Sequence, residues 1–248
     1  MKKLVTKLLL CLAIRLDLKK VNLYSMNVAL IGATGLTGSE LLKVLSADDA
    51  VASVRLLVRR PFASEHPKIE VHVVDLADPE AYRTALQGYD AVFVAIGTTM
   101  RKVHGNKNAY RRIDHDIPAH AAAAAAAQGL QAFGMVSSVG ANANLRFNFY
   151  LRLKGETEAS VCRHAIPKIL LARPSFLVGL RTEYRPAERW AQLLMVPLLD
   201  WLLPKRMSRY HSITAQAVAR ALVAGVKALP TGHHILEYDQ LKALSEPA

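Results

Sequence analysis

The stretch LIGATGLTGSELLKVL, Leu30 to Leu45, limits what this chain can fold into more than any other. An apolar run, Asn27–Ile31, leads directly into Gly32, and Gly35 and Gly38 follow at intervals of three as a helical pattern sets in near Thr37. A strand that turns through glycine into a helix aims the amides of the turn and the first helical residues at one point, and that point favours an anion. Glycine is needed where a side chain would hold a pyrophosphate off the backbone or the helix off the strand. The spacing GxxGxxG differs from the commoner GxGxxG, and glycines alone could simply turn a chain. Their place between strand and helix points instead to dinucleotide binding by Gly32, Thr34, Gly35, Leu36, Thr37 and Gly38.

From Met26 onward, short apolar runs alternate with helical stretches, the pattern of βαβ units around a parallel sheet. Strands are expected at Asn27–Ile31, Ser53–Val58, Glu70–Val74, Ala91–Ala95, Ala132–Ser137, Lys168–Ala172 and near His233–Glu237. Asp78 and Pro79 suit the cap and first position of one helix. Seven consecutive alanines, Ala121 to Ala127, suit a helix lying close to a sheet, ended by Gly129. The expected fold is α/β, a Rossmann-type doubly wound parallel sheet with a small C-terminal helical region. At 248 residues, 52% of them hydrophobic, one domain suffices. It is expected over residues 26–240, with a tail at 241–248. Residues 174–212 are expected to build the substrate pocket, because ligands lie beyond the carboxyl ends of the strands. Trp190 and Trp201 suit either that pocket or a core-covering helix pair.

The two cysteines, Cys11 and Cys162, form no CxxC, which excludes a disulfide framework and a zinc cage and fits a reducing, cytoplasmic location. The net charge of +12 suits a polyanionic cofactor. Six basic residues, against Asp17 alone, fall within residues 1–25, and no aromatic residues interleave with regular cations, so no nucleic-acid partner is expected. The same N-terminal segment is too short and too charged for stable membrane insertion. It reads as an extension preceding a native start at Met26. An amphipathic surface helix and a poor export signal are its other readings.

Arg59 and Arg60 end the second strand, where an acid would bind the ribose 2′-hydroxyl of NAD and arginine accommodates a 2′-phosphate, so NADP(H) is expected over NAD(H). Asp75 and Leu76 end the third strand near the expected adenine site, and Gly97 and Thr98 end the fourth where the cofactor would pass. Tyr150 and Lys154, four apart, share a helix face. Reduction of a carbonyl by hydride needs a proton donor at the oxygen, and a phenol is a poor one to recycle at neutral pH unless a cation such as Lys154 stabilises its anion. Ser137 and Ser138 stand at the end of the fifth strand, where a serine can hold the carbonyl oxygen.

The motifs GATGLTG, VVDLAD, VAIGTT, VSSVGAN and Y-x-x-x-K resemble the short-chain dehydrogenase/reductase superfamily in its extended or atypical branch. YLRLKGETEASV followed by LARPSFLVGLRTEYRPAERW is similar to the Tat-interacting oxidoreductase subgroup and its bacterial relatives. The resemblance covers about Asn27 to Glu237. It implies NADP(H) binding through the glycine loop and the second-strand arginines. Tyr150 would be the acid/base, Lys154 its electrostatic partner and a ligand of the nicotinamide ribose, and Ser138 the orienter of the substrate oxygen. The usual serine-to-tyrosine interval of the family falls on Ser137 instead, so the serine stays open. The implied function is hydride transfer to or from a small-molecule carbonyl or alcohol. A non-catalytic NADPH sensor controlling a partner, and a lipid-contacting peripheral protein, are the alternatives. Self-association into a homo-oligomer is compatible with the sequence.

Other polar groups carry less. His115, Asp116 and His120 lack metal-ligand spacing and are expected on a helix surface, with Pro118 breaking the local pattern. His233 and His234 point to opposite faces of a strand, so they do not chelate together. The basic run MRKVHGNKNAYRR is expected as a solvated loop bordering the nicotinamide end, with Tyr110 starting a long helix.

Overall fold

The computed structural model describes residues 25–178 and 205–246. The N-terminal extension up to residue 24, and Trp190 and Trp201 in the expected pocket region, lie outside the described residues.

In chain order the elements are β1 (Met26–Ile31), α1 (Leu36–Ala47), β2 (Val51–Val58), β3 (Ile69–Val73), α2 (Pro79–Ala85), β4 (Ala91–Val94) and α3 (Lys107–Arg111). A π-helical turn (Arg112–Asp116) leads into α4 (Ile117–Ala127), β5 (Ala132–Val136), α5 (Phe149–Cys162), β6 (Lys168–Ala172) and β7 (Leu177–Val178). After residue 205 come β8 (Ile213–Thr214), α6 (Ala215–Ala228), β9 (Gly232–Leu236) and α7 (Tyr238–Ser245). Seven strands form one parallel sheet in the order β3-β2-β1-β4-β5-β6-β9, while β7 and β8 pair separately. Strand order reverses beside β1, which places the ligand crevice of such a sheet at the carboxyl ends of β1 and β4.

Both faces of the sheet are covered, so its central strands are apolar throughout rather than alternating. Val28 and Leu30 pack with Leu41, Leu45, Val218 and Leu222 on one side. Ala29 and Ile31 pack with Tyr82, Ala121, Ala125 and Phe133 on the other. The alanine run is helical as its composition demands, with Ala121, Ala122, Ala124 and Ala125 buried. Gly129 closes it at φ +70°, and the Leu130 amide donates to the Ala125 carbonyl. Asp78 caps α2 by accepting from the Glu80 amide, with Pro79 behind it.

Two local features depart from expectation. Pro118 does not break the helix; the chain widens into a π turn just before it. Proline has no N–H for the carbonyl four residues back, Asp114, and its ring crowds that carbonyl. The wide turn relieves the crowding, and the Thr157 hydroxyl, 3.1 Å away, donates to the Asp114 carbonyl instead. Residues 241–245, expected within a tail, belong to α7, where Leu241 is fully buried and Glu237 and Gln240 form a reciprocal cap.

Candidate cofactor cleft and catalytic site

The glycine loop is built by close backbone approach. Gly32 has φ +92°, and a Cβ there would lie 2.6 Å from the Ala95 carbonyl oxygen at the end of β4. A Cβ on Gly38 would lie 1.9 Å from the Gly32 carbonyl oxygen, so α1 can start against the turn only with glycine at that position. Gly35 donates its amide to the Gly32 carbonyl at 3.0 Å and caps α1 without any side-chain acceptor, and no acidic residue sits in the first turn. The first amides of a 12-residue helix are thus left facing the turn with no carboxylate to satisfy them, the donor set that a phosphate fits.

A cavity of about 540 Å³ opens beside this loop. Of the residues expected to bind cofactor, Gly32, Thr34, Gly35, Arg59, Arg60, Leu76, Gly97 and Thr98 line it. Leu36, Thr37, Gly38, Asp75 and Lys154 are not in its wall. Thr37 and Gly38 are buried at the start of α1. Asp75 uses Oδ1 to accept from the Ala77 amide in a tight turn. Phe62, Lys102 and Ile113 also line the cavity and were not singled out from sequence.

Lys154, on the inner face of α5, sets its ammonium 3.0 Å from Asp114 Oδ1, and both side chains are almost fully buried. The other Asp114 oxygen accepts from the Thr98 amide at 2.8 Å. Tyr110 donates its hydroxyl to the Thr98 carbonyl at 3.1 Å. Burial first, then the Asp114 carboxylate and Tyr150, push the Tyr110 phenol above its ordinary range, so it stays a donor. Lys154 and Tyr110 are therefore tied, through opposite ends of Thr98, to the wall of the cavity. Tyr150 is 39% exposed and close enough to Tyr110 to perturb it. Asn148 caps α5 by accepting from the Leu151 amide at 3.0 Å, and Phe149 meets the Tyr110 ring edge-on at 5.7 Å. A Cβ on Gly155 would lie 2.2 Å from the Ala143 nitrogen, so glycine after Lys154 lets α5 press against the loop that carries the serines.

The two serines have different surroundings. Ser137 donates to the buried Glu158 carboxylate, which also pairs with Arg173. Ser138 makes only a long contact, 3.3 Å, to the carbonyl of Val139. His115 is not a plain surface residue. Its Nδ1 lies 2.8 Å from Asp116 Oδ1 and its Nε2 3.1 Å from Ser160 Oγ on α5. Among the described residues no group of three or more His, Cys, Asp or Glu side chains could hold a metal ion, and no helix is long and apolar enough to cross a membrane.

A family model described as NAD(P)H-binding matches residues 32–165. Protein HTATIP2 of Rattus norvegicus is 32% identical over 215 residues, covering 86% of this chain and 84% of its own. A protein of Aspergillus fumigatus named "Protein fmp52, mitochondrial" is 34% identical, covering 82% of this chain and 88% of its own. The backbone is similar to that of MoeE5 in complex with UDP-glucuronic acid and NAD, with a TM-score of 0.65 at 16% identity, covering 86% of this chain and 76% of that one. Several fungal relatives are mitochondrial proteins by name, and the expectation of a cytoplasmic location, which rested on cysteine scarcity alone, is overturned. The chain has a Rossmann-type fold, and it belongs to the NAD(P)H-binding family of atypical short-chain dehydrogenase/reductases with HTATIP2-like relatives.

Proposed function

We propose that the protein is an NADP(H)-dependent oxidoreductase that moves a hydride between the cofactor and a carbonyl or alcohol carbon. The observation that carries this reading is the Lys154–Asp114–Thr98 chain, which ties the tyrosine- and lysine-bearing helix to the wall of the cavity beside the glycine loop. Bound nicotinamide would supply or accept the hydride. Tyr150 holds and moves the proton at its hydroxyl. Lys154 stabilises the phenolate and binds the nicotinamide ribose, and Ser138, whose hydroxyl is not committed to a carboxylate as that of Ser137 is, orients the substrate oxygen.

NADP(H) over NAD(H) is supported by the lining of the cavity. Arg59 and Arg60 line it and, among the described residues, no carboxylate does, so two guanidiniums are available to a 2′-phosphate where an acid would bind a free 2′-hydroxyl. Residues 26–240 act as one domain in this reading, and the substrate pocket is assigned to residues 174–212, of which 179–204 lie outside the described residues. Tyr150→Phe tests the assignment: turnover in a carbonyl panel falls by roughly 10²–10⁴-fold with NADPH affinity nearly intact. A wild-type chain that binds NADPH and turns over no carbonyl leaves a cofactor sensor as the function.

A further inference from the structure

The cavity has a third cation, and it comes from the opposite wall. In the sheet, β1 lies between β2 and β4, so the glycine loop that ends β1 is flanked on one side by Arg59 and Arg60 and on the other by the segment that follows β4. That segment contributes Gly97, Thr98 and Lys102 to the lining. A dinucleotide whose pyrophosphate rests on the glycine loop, with its adenosine ribose at the end of β2, must run its nicotinamide half across β1 toward β4. The arginines and the lysine therefore meet different parts of it. Resting on the cofactor reading above, we propose that Lys102 is a cofactor-binding residue that grips the pyrophosphate from the nicotinamide side, while the arginines read the 2′-phosphate.

The base of Lys102 is fixed before any ligand arrives. The Lys102 amide donates to Thr99 Oγ1, and Val103 and Gly105 donate to the carbonyls of Thr99 and Met100. The turn closes through two consecutive left-handed residues, His104 at φ +49° and Gly105 at φ +77°. A non-glycine residue in that region is a costly conformation, kept only where its surroundings impose it. Asn106 then accepts from the Ala109 amide to start α3, and α3 is anchored by the buried Tyr110 on Thr98. Both ends of the turn are thus pinned to the cleft wall, so the lysine stem starts from a set position and little backbone order is lost on binding.

Charge supports the same assignment. Among the described residues that line the cavity the charged ones are Arg59, Arg60 and Lys102, matched to a ligand that carries two negative charges in its pyrophosphate and, in NADP(H), about two more on the 2′-phosphate. An ammonium acts on phosphate as a point charge and needs no fork geometry, which suits a contact reaching in from a turn.

The test measures affinity of the full chain for NADPH and for NADH, by nucleotide fluorescence and by the shift in unfolding temperature, in wild type, Lys102→Ala and Lys102→Arg. Lys102→Ala weakens both nucleotides by a similar factor, about tenfold, the loss of one charge-assisted contact, and Lys102→Arg keeps most of the affinity. Lys102 sits on an exposed turn, and the unfolding temperature without nucleotide confirms that the variants fold. Unchanged affinity for both nucleotides in Lys102→Ala overturns the proposal and leaves the cofactor reading standing. A loss confined to NADPH overturns it as well, moving Lys102 to the 2′-phosphate. A wild-type chain that binds neither nucleotide overturns the cofactor reading itself, and the Lys102 proposal with it.

Discussion

The Lys154 ammonium lies 3.0 Å from Asp114 Oδ1, and the two side chains are 7% and 2% exposed. Removing one partner of such a pair strands the other charge in the interior, at a cost of roughly 3–5 kcal/mol. Asp114→Ala is therefore expected to destabilise the fold by that order in urea unfolding. Asp114→Asn keeps an acceptor for the Thr98 amide and loses less. If both variants unfold at the wild-type midpoint, the pair has no structural role.

Gly155 is a second point where substitution acts on the lysine through the backbone. Its Cβ would fall 2.2 Å from the Ala143 nitrogen and 2.3 Å from the Asn142 carbonyl carbon. Because these are backbone atoms, Gly155→Ala must push α5 away from the serine loop, costing roughly 1–3 kcal/mol. Thermal unfolding reads the cost, and activity falls further than stability if Lys154 and Ser138 are displaced relative to each other.

Arg59 and Arg60 give a prediction about selectivity. Replacing both with alanine weakens NADPH by roughly 10²–10⁴-fold and NADH only slightly, because each of the two lost charged hydrogen bonds contributes about 1.5–3 kcal/mol. Direct titration with the two nucleotides checks it, and equal losses would remove these arginines from the 2′-phosphate.

Glu70 is one identifiable source of acid sensitivity. Glu70 on β3 accepts from Arg55 at 2.9 Å and from the Tyr89 hydroxyl at 3.0 Å, and these bonds, the arginine's first, hold its carboxyl below the ordinary value of 4.5. A depressed carboxylate stabilises the fold above its ordinary value and ceases to as pH falls through the lower folded value. Half-exposed, the pair contributes about 1 kcal/mol or less. Glu70→Gln should cost that much at pH 7 in denaturant unfolding, and the difference from wild type should close as pH drops below 4.5.

The parts of this protein that follow from local order were legible. The strand, the glycines and the helix after them lie together between Met26 and Ala47, and the seven apolar runs announce themselves one by one. Asp114 had no such signal: it sits in a polar helical stretch 40 residues before Lys154, and only the packing of α5 on the π turn brings them together. Lys102 was hidden for a different reason: its basic run is expected to border the nicotinamide end, but nothing in such a run tells the one lysine that lines the cavity from its solvated neighbours. His115 read as a surface residue because its partner Ser160 is equally remote. The helix α7 was missed because it is only eight residues long and buries a single leucine.

The wide turn at residues 112–116 governs which way the long helix faces on either side of it. Each residue of an α-helix advances the side-chain direction by about 100°, so one additional residue in a single turn re-aims everything downstream. Within the turn, Asp114 is aimed at Lys154 and the Thr98 amide; downstream, the helix buries Ala121, Ala122, Ala124 and Ala125. A version of the chain shortened by one residue between Arg111 and Ile117 would be more regular, yet it could keep only one of these two arrangements, and either the lysine would lose its carboxylate or the alanines would roll out of the core.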